Sequence, residues 1–305
     1  MTQPAADSGT SGPRGVYCPV ITPLDADEWP DEAALRHQIG RLVAGVDGIM
    51  VLGTGGEFPL LEPAAADAAA EIVADELRGR LPLVCGVGDT GVRRTVANLR
   101  RAEKIGADYV AVCGPYYYRV DAAALYRHFA TVADLSAVPV VIYNIPPSTQ
   151  SGLDRDTLTR LAEHPNIVGI KESSGDAGLL TWLLDARADL GLTVLQGTAE
   201  QEATRWWRAD PDGYVSGLEN VAPGTMRELA EAVRTGDDAA ARRLQHRLNV
   251  LVGLCDRHYW LAVIKAGCAE YGAGDGRLAA PLPTLDPPAR DEVRAALSAL
   301  GLLTD

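Results

Sequence analysis

Lysine is scarce in this chain: Lys104, Lys171 and Lys265 are the only three among 28 basic side chains. Lys171 closes the apolar run Ile167-Val168-Gly169-Ile170, which reads as a buried strand. An ammonium buried there is costly unless it is paired or gives up its proton. Arginine stays charged at every accessible pH and cannot serve as an amine nucleophile. A lysine at a strand end in an arginine-rich chain therefore points to a deprotonatable amine, whose natural chemistry is a Schiff base with a carbonyl substrate. Position alone leaves open a lysine that snorkels to solvent.

Three further strand ends carry polar chemistry. Gly53-Thr54-Gly55-Gly56-Glu57 is a glycine loop whose N–H groups, with the Thr54 hydroxyl, can hold a carboxylate; a plain turn into a helix is the alternative. Gly114-Pro115-Tyr116-Tyr117-Tyr118 places three phenols in a row, suited to proton transfer or to interface packing. Tyr143-Asn144-Ile145-Pro146-Pro147-Ser148 puts a phenol at the mouth of a strand, followed by a rigid proline loop. A buried tyrosine that satisfies a backbone group would look the same. Glu172, one residue beyond Lys171, faces the opposite way by the two-residue period of a strand and is expected to pair outside the site. Together these groups fit a 2-oxo acid. The glycine loop would hold its carboxylate, Lys171 would form an iminium with its ketone, and Tyr143 would move protons. No metal or other cofactor is needed, because the iminium is itself the electron sink.

The elements that must position these groups alternate along the chain. Apolar runs at 15–22, 48–53, 81–86, 109–113, 138–143, 168–171, 193–197 and 213–217 are separated by stretches of helical spacing such as 32–44, 64–77, 92–105, 122–134 and 155–163. Near-continuous apolar strands between helices indicate a parallel sheet covered on both faces. Eight such units in about 200 residues indicate an α/β fold of the (β/α)8 TIM barrel type. An open doubly wound sheet would want a glycine fingerprint after its first strand, and Val20-Ile21-Thr22-Pro23 offers none. After Pro223 the alternation stops, and 225–235, 237–254, 258–270 and 288–300 read as helices. The expected organisation is a polar disordered tail at 1–13, a barrel at 14–223 and a C-terminal helical region at 224–305, packed on the barrel or on a partner subunit.

The net charge is -13, which argues against a nucleic-acid or anionic-membrane surface. No apolar stretch is long enough to span a membrane. The five cysteines are scattered, with no CxxC pair and no Cys/His cluster of zinc spacing. That pattern, with no secretory signal in the first residues, leads us to expect a reducing, cytoplasmic setting.

At this point the chain resembles the class I pyruvate aldolases that include dihydrodipicolinate synthase and N-acetylneuraminate lyase. The likeness rests on Gly53-Thr54-Gly55-Gly56-Glu57, Pro115-Tyr116-Tyr117, Tyr143-Asn144-Ile145-Pro146 and Gly169-Ile170-Lys171-Glu172, and covers roughly residues 15–285. It implies a TIM barrel with C-terminal helices, assembled as a homotetramer of two tight dimers. It also implies Lys171 as the Schiff-base lysine, Tyr143 as the catalytic tyrosine and Tyr117 as a tyrosine crossing the dimer interface. Thr54 and the Gly55 backbone would bind the pyruvate carboxylate, and Val215 would line the pocket through its carbonyl. Two departures stand out. Gly55 replaces a second threonine, and Ser148 replaces an arginine that holds the carboxylate of aspartate semialdehyde in the synthases. Other stretches, including 56–61 and 164–169, look closer to 4-hydroxy-2-oxoglutarate and 2-keto-3-deoxy sugar acid aldolases.

The expected reaction is therefore reversible cleavage of a 4-hydroxy-2-oxo acid to pyruvate and an aldehyde. The rivals are the synthase condensation with aspartate semialdehyde, a Schiff-base dehydratase of sugar acids, and a non-catalytic binding barrel. The loops around Ser148, Ser173, Gly197 and Glu200 are expected to choose the second substrate.

Overall fold

The eight apolar runs pair in sequence order and close on themselves. In the computed structural model, which describes residues 11–303, the strands are β1 (Gly15–Pro19), β2 (Gly48–Val51), β3 (Leu83–Gly86), β4 (Tyr109–Cys113), β5 (Val140–Asn144), β6 (Ile167–Glu172), β7 (Thr193–Gln196) and β8 (Gly213–Val215). All are parallel, and β8 returns to β1 with Gly213 opposite Gly15. Successive strand residues point alternately inward and outward. Tyr17, Met50, Val84, Ala111, Cys113, Tyr143, Leu195 and Val215 fill the barrel interior. Their neighbours Cys18, Ile49, Val51 and Cys85 face the surrounding helices. Burial on both faces is why these strands carry few polar residues.

The helices of the ring are α1 (Glu32–Leu42), α2 (Pro63–Leu77), α3 (Val92–Lys104), α4 (Ala122–Leu135), the single turn α5 (Pro146–Thr149), α6 (Arg155–Ala162), α7 (Ala177–Leu190), α8 (Ala203–Arg208) and α9 (Thr225–Thr235). The chain continues into α10 (Asp238–Arg257), α11 (Trp260–Ala269) and α12 (Pro287–Ala299). Their starts follow from sequence: Asp31, Asp121, Asp154, Asp176, Asp237 and Asp286 each accept a hydrogen bond from an N–H of the first turn they precede.

Two details depart from the expected organisation. The α9 helix, counted from sequence with the C-terminal region, follows β8 and packs against α8 and β1, so it completes the ring. Of the expected tail, residues 1–10 lie outside the described residues, but Gly12 and Pro13 are buried. A β-carbon on Gly12 would collide with Thr193 and with the Val168 carbonyl, so this end of the chain packs closely against the barrel.

The last three helices pack on the barrel itself. Gln245 of α10 donates to the Glu200 carbonyl after β7 and accepts from the backbone and hydroxyl of Thr204. The α11 helix lies against the turn Gly217–Asn220 that follows β8, and α12 covers α11. This docking brings α10 and α11 over the C-terminal mouth of the barrel, where the strand-end groups sit. No helix among the described residues is long and apolar enough to cross a membrane.

Candidate active site

The two-residue period of β6 separates its last two side chains. Glu172 points outward, where it accepts from Asn144 Nδ2 at 2.7 Å and from the Ser174 N–H at 2.6 Å. Asn144 in turn accepts from the Leu153 N–H, so the ends of β5 and β6 are tied behind the site. Burial pushes the Glu172 carboxyl above its ordinary range, and these hydrogen bonds pull against that shift. Lys171 points inward and is 4% exposed. Its Nζ lies 3.9 Å from the centroid of the Tyr143 ring and 3.8 Å from Met50 Sδ. Lys104 pairs with Glu71 and Lys265 with Glu57, whereas Lys171 makes no salt bridge among the described residues. Its amine is held among apolar and aromatic neighbours at the cavity edge.

Tyr143, next to last in β5, stands beside it, with Lys171 as its register partner across the strands. The Tyr143 hydroxyl lies 3.1 Å from Thr54 Oγ1, which opens the single 3-10 turn Thr54–Gly56 after β2. A hydroxyl pair is thus poised beside the amine. Lys171, Thr54, Gly55, Gly197 and Val215 border one cavity of about 430 Å³. Gly197 leaves room here: a β-carbon there would collide with Ser173 Oγ and lie 2.9 Å from Lys171 Cε, so those side chains would have to shift. Ser173 Oγ is buried beside it with no hydrogen-bond partner.

Two expected positions lie elsewhere. Ser148 is exposed on α5, because the Pro146-Pro147 turn carries the chain away from the cavity. Tyr117 is 73% exposed and stacks edge to face on Tyr118, 4.9 Å between centroids, and so does not reach the cavity of its own chain. Its backbone sits at φ 84°, a strained region for a tyrosine.

Three features went unread in the sequence. Glu200, noted only as part of a loop, lines the cavity and accepts from Ser216 Oγ at 3.1 Å. Burial pushes its carboxyl above the ordinary range, partly offset by hydrogen bonds and by Lys171. Asp256 and Trp260 enter the cavity wall from α10 and α11. Behind the Thr54 loop, Glu57 takes a left-handed backbone at φ 60° and turns its carboxylate into the protein. There it forms a wholly buried ion pair with Lys265 of α11 and accepts from the Ala279 N–H. Lys265 also donates to the Arg277 carbonyl. Among the described residues no group of three or more His, Cys, Asp or Glu side chains could hold a metal ion.

Comparison with known proteins bears on the family and the fold. The family model described as the dihydrodipicolinate synthetase family matches residues 12–300. An uncharacterized DapA-like lyase of Halobacterium salinarum is 38% identical over 302 residues, covering 98% of each chain. The 4-hydroxy-tetrahydrodipicolinate synthase of Acidiphilium cryptum is 34% identical, covering 95% of this chain and 99% of the other. Among solved structures, YagE from E. coli K12, a prophage protein of the dihydrodipicolinic acid synthase family in complex with pyruvate, is 31% identical with a TM-score of 0.88, covering 95% and 99% of the two chains.

Proposed function

The chain belongs to the dihydrodipicolinate synthetase family of pyruvate-dependent class I aldolases, and from that premise we propose that it cleaves a 4-hydroxy-2-oxo acid reversibly to pyruvate and a hydroxylated aldehyde. The observation that carries this reading is Lys171: a buried amine without a carboxylate partner, at a cavity edge, beside the Tyr143–Thr54 hydroxyl pair.

The Thr54 hydroxyl and the Gly55 backbone hold the substrate carboxylate. Lys171 Nζ attacks the C2 ketone, and loss of water gives the iminium. Tyr143, hydrogen-bonded to Thr54, supplies and removes the protons of carbinolamine formation. It then takes the C4 hydroxyl proton as the C3–C4 bond breaks. The bonding pair moves into the iminium to give an enamine, and the aldehyde leaves. Protonation at C3 and hydrolysis release pyruvate and restore the amine. YagE, solved with pyruvate, supports pyruvate as the common partner.

Charge favours one aldehyde class over the other. Glu200 and Asp256 line the outer cavity, and among the described residues Lys171 is the only basic one on its walls. Glyoxylate would bring a second negative charge against two carboxylates. A neutral, polyhydroxylated aldehyde instead gives those carboxylates hydroxyl donors. We therefore favour a 2-keto-3-deoxy sugar acid over 4-hydroxy-2-oxoglutarate. Condensation of pyruvate with aspartate semialdehyde is the second reading, kept by relatives such as that of Acidiphilium cryptum. The exposed Ser148 gives that aldehyde's carboxylate no cation, and saturable turnover of aspartate semialdehyde at low concentration would establish it instead. The enzyme is proposed to act in the cytoplasm as a homotetramer in which Tyr117 reaches a neighbouring site.

The test is borohydride reduction in the presence of pyruvate, followed by peptide mass spectrometry. A pyruvyl adduct on Lys171 is expected. Folded protein without an adduct would sink the aldolase reading.

A further inference from the structure

We propose that Trp260 and Asp256, at the junction of α10 and α11, form the subsite that holds the aldehyde-derived half of the substrate and selects a neutral polyhydroxylated chain. The inference deepens the reading above and rests on it.

Trp260 opens a helix that is otherwise inward-facing: Leu261 through Cys268 are all buried, whereas Trp260 is 37% exposed. Its indole borders the cavity that Lys171 also borders. A β-carbon on Gly55 would lie 3.9 Å from Trp260 Cη2, and one on Gly217 3.9 Å from Trp260 Cζ3. The ring therefore lies beside Gly55 and Gly217, in the two turns that follow β2 and β8, and neither glycine carries a side chain over it. Leaving an indole open to water forfeits hydrophobic stabilisation. Here its support is stiff, because Lys265 on the same helix is locked to Glu57 in the buried ion pair.

Asp256 precedes it across the helix junction and has no salt bridge among the described residues. The adjacent basic side chains are already engaged: Arg257 and His258 both bind Glu292, at 2.6 and 2.8 Å. The outer cavity thus combines an apolar aromatic face with an uncompensated carboxylate. A polyhydroxylated chain satisfies both, laying its C–H face on the indole and donating hydroxyl hydrogens to Asp256. An alkyl aldehyde would cover the ring but offer the exposed Asp256 carboxylate no hydrogen-bond donor. An anionic aldehyde would meet like charge.

The test uses the full-length enzyme and its Trp260→Leu, Trp260→Phe and Asp256→Asn variants. The binding probe is 3-deoxyhexonate, the six-carbon acid with a C2 hydroxyl in place of the ketone, which cannot form an iminium. Calorimetry should show its affinity falling about tenfold in Trp260→Leu, with partial recovery in Trp260→Phe. In condensations with pyruvate, the preference for glyceraldehyde over propanal in kcat/KM should fall about tenfold in Asp256→Asn, while glyoxylate gains. Unchanged probe affinity in Trp260→Leu together with an unchanged aldehyde preference in Asp256→Asn would overturn the subsite. Borohydride trapping of pyruvate on the wild type is read separately. Its failure would remove the aldolase reading, while the calorimetry still decides whether the indole binds the polyol.

Discussion

At the residue scale, the three lysines show how surroundings assign roles to one side chain. Lys104 is an exposed partner of Glu71, Lys265 a buried partner of Glu57, and Lys171 a buried amine facing a cavity. Of the three, Lys171 borders the cavity at the barrel mouth. Lys171→Arg should abolish both turnover and the borohydride-trapped adduct while leaving the fold intact, as judged by thermal unfolding; a fully active variant would exclude the iminium. Tyr143→Phe removes the hydroxyl bonded to Thr54 and should lower kcat by about 10²–10⁴-fold, the usual worth of a positioned proton donor. Glu200 adds a pH dependence. Its carboxyl titrates above the ordinary glutamate range because of burial, so its charged, hydrogen-bond-accepting form is lost at a higher pH than for an exposed glutamate. KM for a polyhydroxylated substrate should therefore rise as pH falls through that point, and Glu200→Gln should flatten this limb of the profile.

At the scale of elements, the site depends on strand ends that are tied from behind. The Glu172–Asn144–Leu153 hydrogen bonds hold β5 and β6 in register where Tyr143 and Lys171 sit side by side. Gly197, just past β7, leaves the room that Lys171 occupies. Gly197→Ala should cost about 1–3 kcal/mol from overpacking and slow adduct formation more than it lowers the melting point. The Glu57–Lys265 pair joins the turn that carries Thr54 to α11. Breaking it with Lys265→Met strands a buried carboxylate and should cost about 3–5 kcal/mol in denaturant unfolding. Replacing both partners, Glu57→Leu with Lys265→Met, should recover most of that loss, because neither charge is then buried alone. Failure of the double variant to recover would mean that the hydrogen bonds to Ala279 and Arg277 matter more than the charges.

On the scale of the whole molecule, the barrel brings together groups from distant parts of the chain, and the C-terminal helices complete the cavity over its mouth. Exposed Tyr117 and Tyr118 have no such use within one chain. In the proposed tetramer they are buried between copies, and sedimentation should give the mass of four chains. Tyr117→Asp should shift that distribution to smaller species and lower kcat together. A wild-type monomer with full activity would remove Tyr117 from the site.

Much of this was readable from sequence, for local reasons. Parallel strands buried on both faces must be apolar runs, so all eight showed, with ends misjudged by a few residues because apolar side chains continue past the last ladder bond. The opposite facing of Lys171 and Glu172 followed from the two-residue period alone. Lys171, Thr54 and Gly197, singled out in the sequence, border one cavity with Tyr143 bonded to Thr54, because the strand ends of a barrel converge on its mouth. Ser148 misled, since nothing local tells how far the proline turn swings outward. Asp256, Trp260 and the Glu57–Lys265 pair could not be read, because their roles exist only once α10 and α11 dock on the mouth. The chain's own pattern of apolar runs and strand-end side chains thus determined the barrel and its reactive amine. What closes the cavity, and with which charges, was decided by tertiary packing, since contacts between residues some 200 positions apart leave no periodic trace in the sequence.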